Sequence, residues 1–250
     1  MTTAVIIVAA GAGMRAGGEV PKQYQRIGGE AVLRHTVRVF QQHADVDHIV
    51  IVIGENHDEL YFRAVSDVDL PAPVRGGATR QESVFNGLNA VASLNPDIVL
   101  IHDAARPFVA TETISAVIET TSRYPGCIPA IAVADTLKRE KDGVIVETVD
   151  RSGLWGAQTP QGFRFDAILA AHSAAARSSR NDFTDDASIA EWAGLNVAII
   201  PGTPENYKIT TTSDLHHADE RLSTGKTNML SDIRVGHGYD VHAFEDGDHV

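Results

Sequence analysis

The stretch that most constrains this chain is residues 4–24, AVIIVAAGAGMRAGGEVPKQY, where a wholly apolar run gives way to glycines and cations. Ala4 to Val8 are small or β-branched, the composition of a central parallel strand covered on both faces. Gly11, Gly13, Gly17 and Gly18 then free the backbone to approach a ligand, so that successive N–H groups can converge on phosphate oxygens. Arg15 and Lys22 add positive charge beside them. A Walker A loop requires Gly-Lys-Ser/Thr entering a helix, and neither Gly17 nor Gly18 is followed by that tripeptide. A dinucleotide fingerprint requires G-x-G-x-x-G, whereas Gly11, Gly13 and Gly17 give G-x-G-x-x-x-G and lead into a segment containing Pro21. What remains is A-A-G-x-G-x-R followed by P-K-Q, a phosphate-facing loop of another kind.

At 250 residues and 43% hydrophobic content, the chain can bury one sizeable core, or one core and a small appendage. No apolar run approaches the ~20 residues that span a bilayer, so no membrane partner is expected. The N-terminal apolar run is short and lacks the basic region of a signal peptide, which points to the cytoplasm. A formal net charge of −12 without a Lys/Arg cluster disfavours nucleic acid as a partner. The single cysteine, Cys127, excludes an intrachain disulfide and, next to Ile128 in an apolar strand, reads as an inert core residue.

Apolar periodicity predicts a helix over 31–40, a strand over 48–53, a helix at about 57–66, a strand at Val74 and a helix from Arg80. A strand over 97–101 ends in His102-Asp103-Ala104-Ala105-Arg106-Pro107, polar residues at the carboxyl end of a parallel strand, where open α/β sheets bind ligands. Helix 111–123 and strand 127–133 continue the alternation of an α/β, doubly wound, mostly parallel sheet. Strands over 135–138 and 144–149, joined through Glu140-Lys141-Asp142-Gly143, break it as a hairpin that projects as an arm toward a second subunit. Residues 154–163 read as a mixed loop and 165–178 as a helix. Thr184-Asp185-Asp186-Ala187 reads as a helix start, 197–200 and 206–210 as short strands, and 213–222 as the last helix.

The first loop with P-K-Q resembles the signature of nucleotidyltransferases, with Met14 where Ser or Thr is common and Ala16 where Met or Leu is common. Further motifs in order, HDAARP, DT, VDR, TPQ, TDDAS and NYKIT, make residues 1–222 similar to the 2-C-methyl-D-erythritol 4-phosphate cytidylyltransferase family of the non-mevalonate isoprenoid pathway. That resemblance implies a Rossmann-like nucleotidyltransferase fold that moves CMP from CTP to the acceptor phosphate, with Mg²⁺ on the triphosphate. It implies that Arg15 and Lys22 hold the CTP phosphates and that Lys208 lies across the α-phosphate with Lys22. Cytosine would rest on the backbone of Ala9, Ala10 and Gly11, with Gly13 in the same loop, and on Gly76, Gly77 and Ser83. Asp103 and Arg106 would touch or organise the methylerythritol pocket, and Thr136, Arg151, Thr159 and Thr184 would bind or frame its phosphate. Ala78 replaces an acidic residue common in related enzymes.

Plainer roles compete with these. Asp103 and Arg106 are spaced for an ion pair, Thr184 for an N-cap, and Lys208 for a solvated side chain, while His102 reads as packing beneath its loop and His216-His217 as solvated. Two other classes share the first loop, a sugar-1-phosphate nucleotidyltransferase and a non-catalytic nucleotide-binding module. The arm carries Thr136 and Arg151 at its base, and is expected to make a homodimer in which both reach the partner's site.

Residues 223–231 read as a polar linker, and 232–250, with RVGHGYDVHAF, resemble the opening of 2-C-methyl-D-erythritol 2,4-cyclodiphosphate synthase. In that family the Asp-x-His, here Asp240 and His242, supplies two ligands of a divalent metal such as Zn²⁺. Nineteen residues cannot close a tetrahedral site, so the resemblance implies a bifunctional enzyme whose second domain is cut short at Val250, with no synthase activity in this chain.

Overall fold

The computed structural model describes residues 1–11, 20–178 and 180–227. The apolar run from the N-terminus forms β1 (Thr3–Ala9), with Val5 and Ile7 facing one side and Ala4 and Ile6 the other, all buried. That alternation places β1 at the centre of an eight-stranded sheet. It pairs in parallel with β4 (His48–Ile53) on one side and β6 (Ile98–Asp103) on the other. The edge strand β5 (Val74–Arg75) continues beyond β4. β1 is therefore the point at which the winding reverses, and the carboxyl ends of β1 and β6 open a crevice there.

Beyond β6 the sheet is mixed. β11 (Gln161–Arg164) lies antiparallel between β6 and β7 (Gly126–Ala132), β10 (Trp155–Ala157) pairs antiparallel with β7, and β12 (Val197–Pro201) pairs with it in parallel. The expectation of a loop over 154–163 is thus corrected: two short strands form because β6 and β7 offer unpaired edges. Gly162 permits the close approach, since a Cβ there would meet Val117 Cγ1 at 2.4 Å.

Helices α1 (Val32–Gln41), α2 (Asp58–Ala64) and α4 (Thr111–Arg123) cover one face, where Leu33, Val37, Phe40, Tyr61 and Val117 meet Val5 and Ile7. Helices α3 (Arg80–Val91), α5 (Phe165–Arg177) and α6 (Asp186–Trp192) cover the other through Val84, Leu88, Ile168 and Ile189. Two apolar layers on one sheet are what the sequence alternation requires. The last helix, α7 (Thr212–Thr227), runs further than the expected 213–222 and so enters the stretch read as a linker. It packs Leu215 and Ala218 onto Ile27 and Ile209, and its Asp219 accepts the Gly28 N–H at 2.7 Å. Gly28 follows β2 (Arg26–Ile27), which turns into β3 (Glu30–Ala31).

The arm is present as β8 (Leu137–Lys141) and β9 (Val144–Val149), two residues later in its first strand than expected. Its Asp142-Gly143 turn has φ of 54° and 80°, the left-handed pair that an Asp-Gly hairpin turn demands. Residues 206–210 form no strand. Asn206 and Ile209 are buried there, but their backbone is held by neighbouring loops rather than by a sheet edge, with the Ile209 N–H donating to Ala105 O at 2.9 Å. Asp185, not Thr184, is the N-cap of α6: its carboxylate accepts the Ser188 N–H at 3.0 Å and Ser188 closes a reciprocal capping box. Among the described residues no helix is long and apolar enough to cross a membrane.

Candidate active site at the switch point

Two adjoining cavities occupy the crevice. The larger, about 550 Å³, is lined by Val8 to Gly11, Lys22, Gln23, Gly77 to Arg80, Ser83, Asp103 to Ala105, Lys208 and Thr210. The smaller, about 270 Å³, is lined by Arg106, Ala157, Gln158, Thr159, Gln161, Thr184 and Asp185. Arg80, Asp103 and Lys208 line both, so the cavities meet at these three charged groups.

The wall of the larger cavity is fixed mainly by the residues after β1 and before α3. Gln23, buried within a single 3-10 turn at Lys22–Tyr24, donates through Nε2 to Ala9 O at 2.7 Å and to Gly11 O at 2.8 Å. One side chain thus ties the P-K-Q segment to the end of β1 and sets Lys22 beside it. On the opposite wall the Ser83 hydroxyl accepts the Gly77 N–H at 3.1 Å and donates to Thr79 O at 2.8 Å. Gly76 lies behind the lining, where a Cβ would stand 2.6 Å from Ala10 Cβ and 2.8 Å from Ser83 Oγ. The N–H of Ala78, the residue lacking an acidic side chain, donates to Glu82 Oε2 at 2.7 Å.

At the junction, Asp103 is almost buried and faces three cations: Lys208 Nζ at 2.9 Å, Arg106 Nε at 3.4 Å and Arg80 Nε at 3.8 Å. Burial alone would push its carboxyl up, but Lys208, Arg80 and Arg106 together hold it well below the usual carboxylate range. The ion pair allowed for Asp103 and Arg106 is therefore real and part of the cavity wall. Lys208 is paired there and not simply solvated.

Behind the wall runs a connected set of hydrogen bonds. Arg106 donates to Asn206 O at 2.6 Å, and the Asn206 amide, fully buried, donates to Thr159 O at 2.9 Å. The Thr159 hydroxyl accepts the Asp103 N–H at 3.1 Å and stands 3.0 Å from His102 Nδ1, while His102 Nε2 stands 3.0 Å from Arg106 O. A carbonyl can only accept, so the proton of His102 is on Nε2 and its Nδ1 accepts from Thr159. Burial pushes the His102 imidazole down to about 4, which keeps it neutral beneath the loop, as the sequence suggested.

Of the residues expected from sequence, Ala9, Ala10, Gly11, Lys22, Gly77, Ser83, Asp103, Arg106, Thr159, Thr184 and Lys208 line one cavity or both. Gly76 supports the lining from behind. Thr136 and Arg151 are exposed at the base of the arm and line neither cavity of this chain. Gly13, Arg15, Gly17, Gly18, Asp240 and His242 lie outside the described residues. Sequence reasoning passed over Arg80, Gln23, Asn206 and Thr210. Arg80 carried a signal, since it opens a helix directly after the Gly76-Gly77 turn.

A doubly wound sheet with Gly11, Gly77 and the cations Arg80, Arg106 and Lys208 gathered at its switch point is an architecture this chain shares with solved nucleotidyltransferases. Residues 3–224 match the family described as 2-C-methyl-D-erythritol 4-phosphate cytidylyltransferase. The chain is 52% identical over 250 residues to a bifunctional enzyme IspD/IspF of Mesorhizobium japonicum, covering 99% of this chain and 61% of that protein. A second, from Bradyrhizobium diazoefficiens, is 50% identical over 249 residues, with 99% and 62% covered. The chain thus spans about three fifths of the length of these curated relatives. The crystal structure of the Francisella tularensis 2-C-methyl-D-erythritol 4-phosphate cytidylyltransferase superposes with a TM-score of 0.77 at 32% identity, covering 88% of this chain and 100% of that one. This chain belongs to the 2-C-methyl-D-erythritol 4-phosphate cytidylyltransferase family.

Proposed function

We propose that this chain transfers CMP from CTP to 2-C-methyl-D-erythritol 4-phosphate, releasing pyrophosphate and 4-diphosphocytidyl-2-C-methyl-D-erythritol. The observation that carries the reading is the pair of cavities sharing Arg80, Asp103 and Lys208, one sized and lined for a nucleotide and the other for a small polyol phosphate. In this reading cytosine rests against Ala9 to Gly11, Gly77 and Ser83, with Gly76 behind, and the triphosphate extends toward Lys22 and Lys208. Arg15 and Gly13 belong to the same loop by family resemblance. The acceptor occupies the smaller cavity, oriented by Asp103 and Arg106, with Thr159 and Thr184 near its phosphate.

The chemistry follows from charge. An ionised phosphate oxygen must approach an α-phosphate that is already anionic, and the departing pyrophosphate carries more charge still. Lys22 and Lys208 reduce that repulsion most where the negative charge is most crowded, which is at the transition state. No general base is needed, because a phosphate monoester is already ionised at neutral pH. The only carboxylate among the described residues lining the larger cavity is Asp103, which three cations occupy, so the wall is not suited to hold a divalent metal itself. Mg²⁺ accordingly enters with CTP as part of the substrate, and when bound it supplies neutralisation of the leaving group.

The arm supports a homodimer: Val144, Ile145 and Val146 are consecutive apolar residues exposed by 65%, 62% and 54%, a patch that water disfavours. In the dimer Thr136 and Arg151 would complete the partner's acceptor site. We further propose a cytidylyltransferase unit over residues 1–222, a connection over 223–231, and a second unit beginning near 232, in which Asp240 and His242 would be metal ligands only once the whole synthase domain is present. The cytoplasm is the proposed compartment. Incubation with CTP and a panel of phosphorylated acceptors, following pyrophosphate, tests the reading. Release with 2-C-methyl-D-erythritol 4-phosphate supports it. Release only with sugar 1-phosphates, or CTP binding without pyrophosphate from any acceptor, overturns it.

A further inference from the structure

Among the described residues, Arg80 is a cation lining both cavities to which the proposed reaction assigns no role. Its side chain is 29% exposed and lines both cavities, while behind it Asp186 is fully buried. Arg80 Nη2 stands 2.8 Å from Asp186 Oδ2, yet that oxygen accepts no well-aligned hydrogen bond, so the contact is a close ion pair set off the hydrogen-bond line. Asp186 is fixed from other directions. Its Oδ1 lies 3.1 Å from His172 Nε2, which must donate because a carboxylate only accepts, and its backbone N–H donates to Gln161 Oε1 at 3.1 Å. His172 and Gln161 are themselves buried.

We propose that Arg80 is a further catalytic residue that touches the phosphoryl group being transferred at the junction of the two cavities, and that Asp186, held by His172, is the positioning residue that aims it. The inference rests on the cytidylyltransferase reading given above. A guanidinium has five donors in a rigid fork, more than two carboxylates at these distances take up, and a fork is what two phosphate oxygens match. Burial opposes the charge on Asp186, but Arg80 and His172 outweigh it and keep the carboxyl below its usual range. An arginine serving only to tie α3 to α6 would have no need to line both cavities.

The test is a double-mutant cycle of Arg80→Gln and Asp186→Asn in the full chain, with pyrophosphate release, CTP affinity by calorimetry and circular dichroism measured on every variant. Each single change is expected to lower kcat by ~10² with a smaller change in KM for CTP, as for loss of one preorganised transition-state donor. Asp186→Asn should cost less than about threefold more in the Arg80→Gln background, because its effect passes through Arg80. Should Asp186→Asn not fold, Asp186→Glu replaces it in the cycle, and Arg80→Lys, which keeps charge but not the fork, is expected to lose at least ~10-fold in kcat. Fully additive effects, or near-normal kcat in Arg80→Gln, overturn the proposal. If the wild-type protein turns over none of the acceptors, the functional reading fails by itself. The same cycle read in CTP affinity then decides whether Asp186 acts through Arg80.

Discussion

Replacing Lys208 by methionine keeps most of the apolar stem and deletes the ammonium, with its charge and its N–H donors, so turnover and stability can be compared on one change. At an effective dielectric of about 20, a unit pair 2.9 Å apart is worth about 6 kcal/mol before screening, against about 5 for Arg106 at 3.4 Å and about 4 for Arg80 at 3.8 Å. Since Lys208 is 38% exposed, solvent reduces its net share of the native pairing to about 1 kcal/mol or less. The two arginines remain, so Asp103 stays ionised and paired, and urea unfolding is expected to shift by no more than that amount. Turnover should respond differently, because the ammonium would face an α-phosphate whose charge rises as the new bond forms. A kcat loss of ~10² or more, about 3 kcal/mol, is expected, with CTP affinity changing by less than about tenfold. The assay is steady-state pyrophosphate release beside urea denaturation of the same preparation. A kcat within threefold of wild type would remove Lys208 from the mechanism, and a collapse of stability would show that screening had been misjudged.

Gly76→Ala should destabilise by about 1 to 3 kcal/mol and weaken CTP binding, because the new Cβ would lie 2.6 Å from Ala10 Cβ and 3.2 Å from Ile53 O; unchanged melting and affinity would refute that packing. The imidazole of His102 is held neutral down to about 4 against an ordinary 6.5, so its contribution to stability is complete above pH 6.5 and is lost as pH falls toward 4. Urea unfolding should weaken by about 2 kcal/mol between pH 7 and pH 5, and His102→Gln should flatten that slope; an unchanged slope in the variant would assign the titration elsewhere. Mixing Arg151→Ala chains with Lys22→Ala chains should restore activity through one intact site per heterodimer, whereas no recovery despite proven subunit exchange would place both residues in one subunit's site.

The sheet was legible because its strands are covered on both faces: 98–103 is buried at every position, so its sequence is apolar until the polar residues that mark its end. The Asp-Gly turn of the arm and the helix over 111–123 were equally legible, being dictated by local chemistry. β10 and β11 were not, since three- and four-residue strands around Pro160 have too little period to read and form only because β6 and β7 present edges. Tyr207 and Ile209 alternate like a strand, but the sheet offers them no edge, and the loop is held instead through Asn206 and Ala105. Arg80 escaped notice because what gives it meaning, Asp186 and Asp103, comes from other elements far along the chain. Thr184 was misread as a possible cap because Asp and Thr are both good N-caps, and only the geometry separates them.

Helix α7 binds the chain downstream of each of the two proposed lysines. Its Asp214 accepts the Thr210 N–H at 2.7 Å just beyond Lys208, and its Asp219 grips Gly28 just beyond the turn that carries Lys22. During synthesis the chain emerges from its N-terminus, so β1 and Lys22 leave the ribosome long before the helix that braces them. The sheet can begin to collapse around β1, β4 and β6 once those strands are out, whereas the Gly28 and Thr210 backbones lack their carboxylate partners until α7 arrives and docks on β2. A nascent chain that stalls short of residue 212 would therefore hold the strands of the sheet and every described residue that lines the two cavities, without the helix that ties down Gly28 and Thr210.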